Sequence, residues 1–173
     1  MKSKITYKNE QLELTDEFID IGYMAENFDA VDLNGENYKV KRANENRNIQ
    51  IFISFPNFED FKEEIIYFDE FLCGAQIDIF TYIIFAKKFD IPYTFKKLIP
   101  LFDENDEFGE LYGTKIVSGS FEDKLTKSLF LIGKDGAIYY IDMPQDLEKP
   151  LDIEKIRTAL NKTYQTYTGT GCH

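Results

Sequence analysis

The chain has 173 residues, of which 43% are hydrophobic, as is typical of one globular domain with a full core. Its net charge is -11, and a negative field of this size excludes nucleic acid and membrane surfaces as expected partners. Two cysteines are too few for a disulfide framework, and the amino terminus has no apolar stretch typical of a signal peptide. We therefore expect a cytoplasmic protein with a domain over residues 1–162 and a flexible tail over residues 163–173.

The amino-terminal segment, residues 4–14, contains two short alternating runs around Asn9, which predict a β-hairpin. Four apolar side chains of these runs are expected on one face: Ile5, Tyr7, Leu12 and Leu14. Residues 20–33 indicate a loop with a turn at Gly22, and a strand is predicted at residues 38–40.

The central stretch is a strand over residues 49–55, a turn at Pro56, and an amphipathic helix over about residues 59–72. The apolar stripe of that helix is Phe61, Ile65, Phe68 and Leu72, and we place Asp69 off this stripe. A strand that delivers its carboxyl end to a helix amino end is where α/β proteins usually place their chemistry. The stretch therefore predicts the position of the functional site.

In the second half, residues 77–86 predict another central strand, and residues 98–102 a short one. Residues 87–97 are either a short helix or a loop, because Pro92 interrupts the pattern. Residues 103–112 predict a helix with an acidic first turn. The acidic residues there either cap that helix or hold a hard cation: Asp103, Glu104, Asp106 and Glu107.

The carboxyl-terminal part contains two strands, residues 128–132 and 137–143, which the turn at residues 133–136 joins into a hairpin. A closing helix is predicted over residues 151–161. Strands and helices alternate along the chain, so we expect an α/β protein with a mixed sheet and helices on both faces.

These elements, in this order, resemble the thioredoxin-fold peroxiredoxins, most closely the bacterial thiol peroxidases, over residues 4–162. The similar stretches are ITYKNEQLEL, IGYMAENFDAVDLNGE, FISFPN, FGELYG and TKIVSGSFEDKLTKSLFLIGKDGAIYYI. The resemblance implies a thioredoxin-like fold, a mixed central sheet with flanking helices, preceded by an N-terminal β-hairpin. It also implies an antioxidant thiol peroxidase that forms a homodimer and needs neither cofactor nor metal.

The chain departs from this family at the position of its chemistry. Such enzymes carry a peroxidatic cysteine in the first turn of the helix, in a P-x-x-x-T-x-x-C pattern, where the helix amino end, a threonine and an arginine favour the thiolate. Pro56 matches the proline, but residues 57–62 contain neither Thr nor Cys, and the cysteine position falls on or near Phe61. The resolving cysteine falls near Phe95, and residues 87–97 contain no Cys.

The arginine of such enzymes matches Lys127, which keeps a cation but lacks the forked guanidinium that can hold a peroxide by two hydrogen bonds. Four carboxylates near the helix start oppose a thiolate: Glu59, Asp60, Glu63 and Glu64. The candidate catalytic residues are therefore Pro56, Lys127 and Cys73, and we expect direct peroxide reduction at the family position to be lost.

The two remaining cysteines differ in their surroundings. Cys73 lies at the carboxyl end of the helix beside apolar residues, so we expect a packed, inert thiol, or alternatively a displaced redox thiol. Cys172 stands beside His173 in a polar tail, where the pair either has no role or binds a metal or forms a mixed disulfide.

Three hypotheses follow. The first is a peroxiredoxin-like binding or dimerisation module with a protein partner, in which Phe58, Phe61 and Tyr67 form an apolar contact surface unless Phe61 belongs to the core. The second is a divergent thiol-dependent peroxidase or oxidoreductase that uses Cys73 or Cys172. The third is an acidic cation-binding protein.

Overall fold

The computed structural model describes residues 4–16, 19–43, 48–74 and 79–168. Its first two strands are β1 (Lys4–Tyr7) and β2 (Glu10–Glu13). The other strands are β3 (Phe28–Val31), β4 (Asn37–Val40), β5 (Ile49–Ser54), β6 (Ile79–Phe85), β7 (Ile99–Phe102), β8 (Ser128–Ile132) and β9 (Ile138–Asp142). The helices are α1 (Lys62–Cys73), α2 (Glu107–Leu111) and α3 (Ile153–Thr168).

Strands β3 to β9 form one mixed sheet in the order β4-β3-β7-β6-β5-β8-β9. The central strands β5, β6 and β7 are parallel, while β8 is antiparallel to both β5 and β9. At the other side of the sheet, β3 is antiparallel to β4 and β7. The predicted α/β class and thioredoxin-like architecture are confirmed.

Strand β5 separates the two halves of the core because its side chains alternate between the faces of the sheet. Ile51 and Ile53 point into the layer that contains α1 and α3, whereas Phe52 points into the layer that contains α2. All six residues of β5 are buried. Helices therefore cover both faces, as the sequence predicted.

The hairpin of β1 and β2 forms a separate two-stranded sheet, and its predicted pairing is confirmed. The turn between its strands uses positive φ angles at Lys8 and Asn9, a conformation that asparagine tolerates. Thr6 attaches the hairpin to the rest of the domain, since its N–H donates to Gln145 O and its carbonyl accepts from Leu147 N–H. The hairpin thus lies beside the segment that follows β9.

Two sequence predictions about the first half of the chain are wrong. Residues 20–33 were expected to form a loop, but Phe28–Val31 is strand β3. The helix α1 begins at Lys62 instead of residue 59, because residues 57–61 form a turn first.

The second half also differs in detail. The helix expected over residues 103–112 is limited to five residues, Glu107–Leu111, because Asp103 to Asp106 form a turn before it. Residues 87–97 contain no helix, which leaves the loop alternative. The closing helix continues to Thr168, so it includes the first residues of the segment assigned to the tail. None of the helices in the described ranges has the length and apolar character needed to cross a membrane.

Candidate functional site

The turn between β5 and α1 determines where the helix begins. Asn57 accepts a hydrogen bond from Asp60 N–H at 2.8 Å through Oδ1, and its Nδ2 donates to Asp60 Oδ2 at 3.0 Å. A side chain that bonds the backbone a few residues ahead stabilises a turn, and α1 begins directly after this one, at Lys62. Pro56 is buried at the start of this turn.

Phe61 lies where the resemblance places the peroxidatic cysteine, directly before the first residue of α1. Its side chain is 7% exposed and packs against Phe55, with ring centroids 5.6 Å apart. On its other side it contacts Tyr7 of the hairpin at 6.0 Å and Phe121 at 6.4 Å. The position is therefore filled by an aromatic ring and covered by the hairpin.

Lys127 is a fully buried cation beside this ring. Its ammonium donates to Glu64 Oε1 at 2.5 Å and to the carbonyl of Lys149 at 2.7 Å. It also lies over the rings of Phe55 and Phe61, 5.7 and 5.2 Å from their centroids. Glu64 is on the first turn of α1, so the lysine that matches the family arginine in the resemblance is held by a carboxylate of the helix itself.

Glu64 is held on both of its oxygens. One oxygen accepts from Lys127, and the other accepts the backbone N–H of Leu151 at 2.7 Å. This arrangement joins the start of α1, the end of the loop before β8, and the segment that leads into α3. The ion pair therefore connects these three segments of the chain and places two opposite charges at the site.

The arrangement offers no activated nucleophile in the described part of the chain. The nearest buried hydroxyl at the end of β5, Ser54 Oγ, donates to Thr126 O at 2.7 Å and lies 2.6 Å from Ser128 Oγ. Activation of a serine requires a base, and the chain has one histidine, His173, which lies outside the described residues. Among the described residues of this place, neither a thiol nor a hydroxyl paired with a histidine is present.

Cys73, a candidate catalytic residue, lies at the opposite end of α1. Twelve residues separate it from Phe61, which corresponds to about 18 Å along a helix. The expectation of a packed thiol is wrong, because the residue is exposed. Its Sγ–H donates to the Asp69 carbonyl at 3.4 Å. The structure therefore does not bring Cys73 together with Pro56 and Lys127, and Cys172 and His173 lie outside the described residues.

Sequence reasoning missed Asp69, which is fully buried although it was placed off the apolar stripe. Its carboxylate accepts the backbone N–H groups of Lys96, Lys97 and Leu98 at 2.8 to 3.0 Å, and the hydroxyl of Tyr93 at 3.2 Å. Burial alone would raise the pKa of Asp69, but these four hydrogen bonds outweigh it and hold the pKa below its usual range.

Asp69 thereby anchors the loop of residues 87–98, where the resemblance places the resolving cysteine of the family. Phe95, at or near that position, is partly buried and contacts Tyr93 and Phe58. A signal was available in the sequence, because Asp69 stands four residues after Ile65 and therefore on the same helix face.

Of the acidic cluster after β7, Asp103 bonds to the short helix α2. Asp103 is buried, and its carboxyl oxygens accept the N–H groups of Phe108 and Gly109 at 2.9 and 2.8 Å. Burial raises the pKa of Asp103 to about 7, against the effect of these two bonds, and the charges of Asp106 and Glu107 add to the increase. Across the described ranges, no group of three or more His, Cys, Asp or Glu side chains is placed to hold a metal ion.

The predicted apolar contact surface is not formed by its three proposed members. Phe58 and Phe61 are 2% and 7% exposed and belong to the core, whereas Tyr67 is 59% exposed. An open groove of about 530 Å³ lies instead over the carboxyl ends of β5 and β6, and we call it the carboxyl-end groove. It is lined by residues 56–59, Lys62, residues 85–90, Pro92 and Lys124.

No protein family model matches the chain, and neither does any curated protein. Solved structures do match. A peroxiredoxin-like protein from Aquifex aeolicus is similar with a TM-score of 0.81 and 16% identity, over 94% of this chain and 98% of that one. A thiol peroxidase from Chromobacterium violaceum is similar with a TM-score of 0.80 and 14% identity, over 95% and 100% of the two chains.

A mitochondrial 2-Cys peroxiredoxin from Plasmodium falciparum is more distant, with a TM-score of 0.65 and 17% identity over 88% of this chain and 99% of that one. At these identities the likeness concerns the fold. It confirms that nearly the whole chain has the thioredoxin-like fold that peroxiredoxins also have.

Proposed function

We propose that this protein uses a peroxiredoxin-like fold as a binding or dimerisation module and does not reduce peroxides at the start of α1. One observation carries the proposal: at that position the buried ring of Phe61 stands in place of a thiol. Peroxide reduction by this family requires a thiolate next to a cation that stabilises the developing charge. Lys127 is instead held by Glu64 at 2.5 Å.

Binding is proposed at the carboxyl-end groove. Ligands of open α/β sheets bind outside the carboxyl ends of parallel strands, and β5 and β6 are parallel neighbours. The groove combines buried apolar residues, Phe58 and Phe85, with exposed cations such as Lys62 and Lys124. Its volume of about 530 Å³ is within the usual range for ligand sites. A protein partner or a second copy of the chain is the proposed occupant.

The experiment that tests the loss of activity is intact-mass spectrometry of the reduced protein after brief exposure to hydrogen peroxide or cumene hydroperoxide, with peptide mapping of both cysteines. We expect Cys73 to remain unmodified on the timescale of seconds. The Cys73→Ser, Cys172→Ser double variant gives the background rate of peroxide consumption. Wild-type consumption well above that background would contradict the proposal.

A second candidate function, a divergent thiol-dependent oxidoreductase, is favoured by one observation, the exposure of the Cys73 thiol. It predicts rapid formation of sulfenic acid or a disulfide at Cys73 in the same measurement. The sequence around this residue offers no cation at the helix end, and acidic residues precede it. We therefore place this candidate second.

A Phe61→Cys variant tests the electrostatics of the family position. Because Lys127 is paired with Glu64 and acidic residues surround the helix start, we expect the new thiol to react no more than about tenfold faster than Cys73. Much faster oxidation would show that only the cysteine itself is missing. Sedimentation velocity at several concentrations tests the proposed homodimer, and a monomer at about 100 µM would contradict it.

A further inference from the structure

Two tyrosines from separate strands meet on the face of the sheet that α2 covers. The hydroxyl oxygens of Tyr38, in β4, and Tyr82, in β6, are 3.2 Å apart, and their ring centroids are 5.7 Å apart. The sheet order β4-β3-β7-β6 places two strands between them. Because neighbouring strands are about 4.8 Å apart, β4 and β6 are separated by roughly 14 Å, which the two long side chains bridge together. The pair thus connects an edge strand to the centre of the sheet.

The surroundings of the two rings differ in their access to solvent. Tyr38 stands opposite Ala30 in the register of β3 and β4, and the short side chain of Ala30 leaves space over β3 for the ring. Tyr82 is 4% exposed, stands beside Ile99 of β7, and contacts the ring of Phe52 with centroids 6.0 Å apart. Tyr38 is only partly buried. The pair therefore has one phenol in the core and one that reaches the surface.

The composition makes tyrosine the expected position of an aromatic radical. The chain has 11 Tyr and no Trp, and a phenylalanine ring loses an electron much less readily than a phenol. Burial raises the pKa of Tyr82, and its hydrogen bond with Tyr38 raises the pKa further, so Tyr82 is a neutral phenol near neutral pH. Tyr82 must therefore lose a proton together with its electron, and the hydroxyl of Tyr38 offers the path by which that proton reaches water.

We propose that Tyr38 and Tyr82 are a site of oxidative cross-linking, at which a one-electron oxidant converts the pair into dityrosine. Each phenol loses one electron to an oxidant molecule and one proton to water, so two oxidant molecules are reduced. The two phenoxyl radicals form a carbon–carbon bond between ring carbons ortho to the hydroxyls, and the hydrogens of these carbons move to the oxygens. The product keeps both hydroxyls and has two hydrogen atoms fewer than the original pair. This site does not depend on the function proposed for the carboxyl-end groove.

The contact between the rings favours coupling within one molecule. Two groups that the fold holds in contact react at an effective concentration many orders of magnitude above that of a protein in solution. Tyr67, which is 59% exposed on α1, is a useful contrast because it has no ring contact with another tyrosine among the described residues. A radical on Tyr67 is expected to couple between molecules, at a rate that falls on dilution.

Oxidation with azide radicals, generated by radiolysis, tests the proposal on the whole protein. Cys73 and Cys172 are alkylated first, because free thiols consume the oxidant. In the monomer fraction we expect a species that lacks two hydrogen atoms by intact mass, shows dityrosine fluorescence, and joins the peptides of Tyr38 and Tyr82. Its yield should not change on about tenfold dilution, because the coupling is intramolecular. A monomer fraction without dityrosine, or with the bond between other tyrosines, would overturn the proposal.

Two variants and the unfolded chain show whether the contact is responsible. Tyr38→Phe should lower the yield of cross-linked monomer at least about fivefold, whereas Tyr67→Phe removes one exposed phenol and should leave the yield unchanged. Thermal melting before oxidation confirms that both variants fold. In urea-unfolded wild-type protein the rings are no longer held together, so the selective bond between Tyr38 and Tyr82 should be lost. Equal yields from the two variants, or the same selective bond in the unfolded chain, would contradict the assignment to this contact.

Discussion

The ion pair between Lys127 and Glu64 allows a quantitative test of the site. The side chain of Lys127 is 1% exposed and that of Glu64 is 20% exposed, with 2.5 Å between Nζ and Oε1. At an effective dielectric constant of about 20, two unit charges at this distance attract by roughly 6 to 7 kcal/mol, before the cost of desolvation is subtracted. Removing one partner of a buried pair typically costs about 3 to 5 kcal/mol, because the other charge remains buried.

For Glu64→Gln we expect a loss of stability at the lower end of this range, about 3 kcal/mol. Lys127 retains the carbonyl of Lys149 and the faces of two aromatic rings, which partly compensate the lost carboxylate. Lys127→Met should lower the free energy of unfolding by a similar amount, because Glu64 then keeps the N–H of Leu151 but loses the ammonium of Lys127. The Glu64→Gln, Lys127→Met double variant should lower the free energy of unfolding by little more than either single variant does.

The assay is a double-mutant cycle from urea unfolding, with an expected coupling free energy of about 2 to 3 kcal/mol. The pair of Lys115 and Asp106, 3.3 Å apart with side chains 19% and 32% exposed, is the matched control. Partly solvated pairs contribute about 1 kcal/mol or less, so its Lys115→Met, Asp106→Asn cycle should give the smaller coupling. Equal coupling in the two cycles would refute the reasoning that burial strengthens the first pair.

Three further variants test other buried features by urea unfolding. Asp69→Asn should destabilise the protein by about 2 to 4 kcal/mol, since an amide cannot accept all four hydrogen bonds, while exposed Asp90→Asn should have little effect. The lowered pKa of Asp69 gives stability that is present above pH 3.8 and lost as the pH falls through the folded-state pKa, so the variant should lack this acid-dependent loss. Asp103 affects stability in the opposite direction, because its pKa is raised to about 7. Its contribution to stability is present below pH 3.8 and lost as the pH rises through 7, and Asp103→Asn should remove this dependence of stability on pH. Gly119→Ala should cost at least about 1 kcal/mol more than Gly22→Ala, because both have positive φ but only at Gly119 would a Cβ lie within 2.0 Å of Leu12 Cδ2; equal costs would contradict this packing.

The strand and helix at the centre were predictable because their signals are local. Four of the six residues of β5 are apolar, and Phe61, Ile65 and Leu72 repeat at helical spacing. The position of the candidate site follows from the same stretch, since the start of α1 is fixed by the strand before it. The helix starts later than predicted because residues 57–61 form a turn, in which Asn57 accepts the N–H of Asp60.

The features that the sequence did not predict depend on contacts between distant residues. Strand β3 is only four residues long, and its pairing with β4 and β7 stabilises it more than its own composition does. Asp69 is buried although we placed it off the apolar stripe, because the amides of Lys96, Lys97 and Leu98 supply the hydrogen bonds that burial requires. Only the tertiary structure brings that loop to α1.

The start of α1 pairs a negative charge with a buried cation, and we compare this pair with the thiol site of the enzymes that the sequence resembles. In the enzymes that the sequence resembles, a negative thiolate stands at the helix amino end next to a cation. Here the negative charge at the amino end is the carboxylate of Glu64, one turn into the helix, and the cation is Lys127. A carboxylate cannot attack a peroxide oxygen and return to its reduced form as a thiolate does, and this supports our proposal that the pair stabilises the fold without peroxide chemistry. This position is filled, which is why we place the proposed binding at the open carboxyl-end groove.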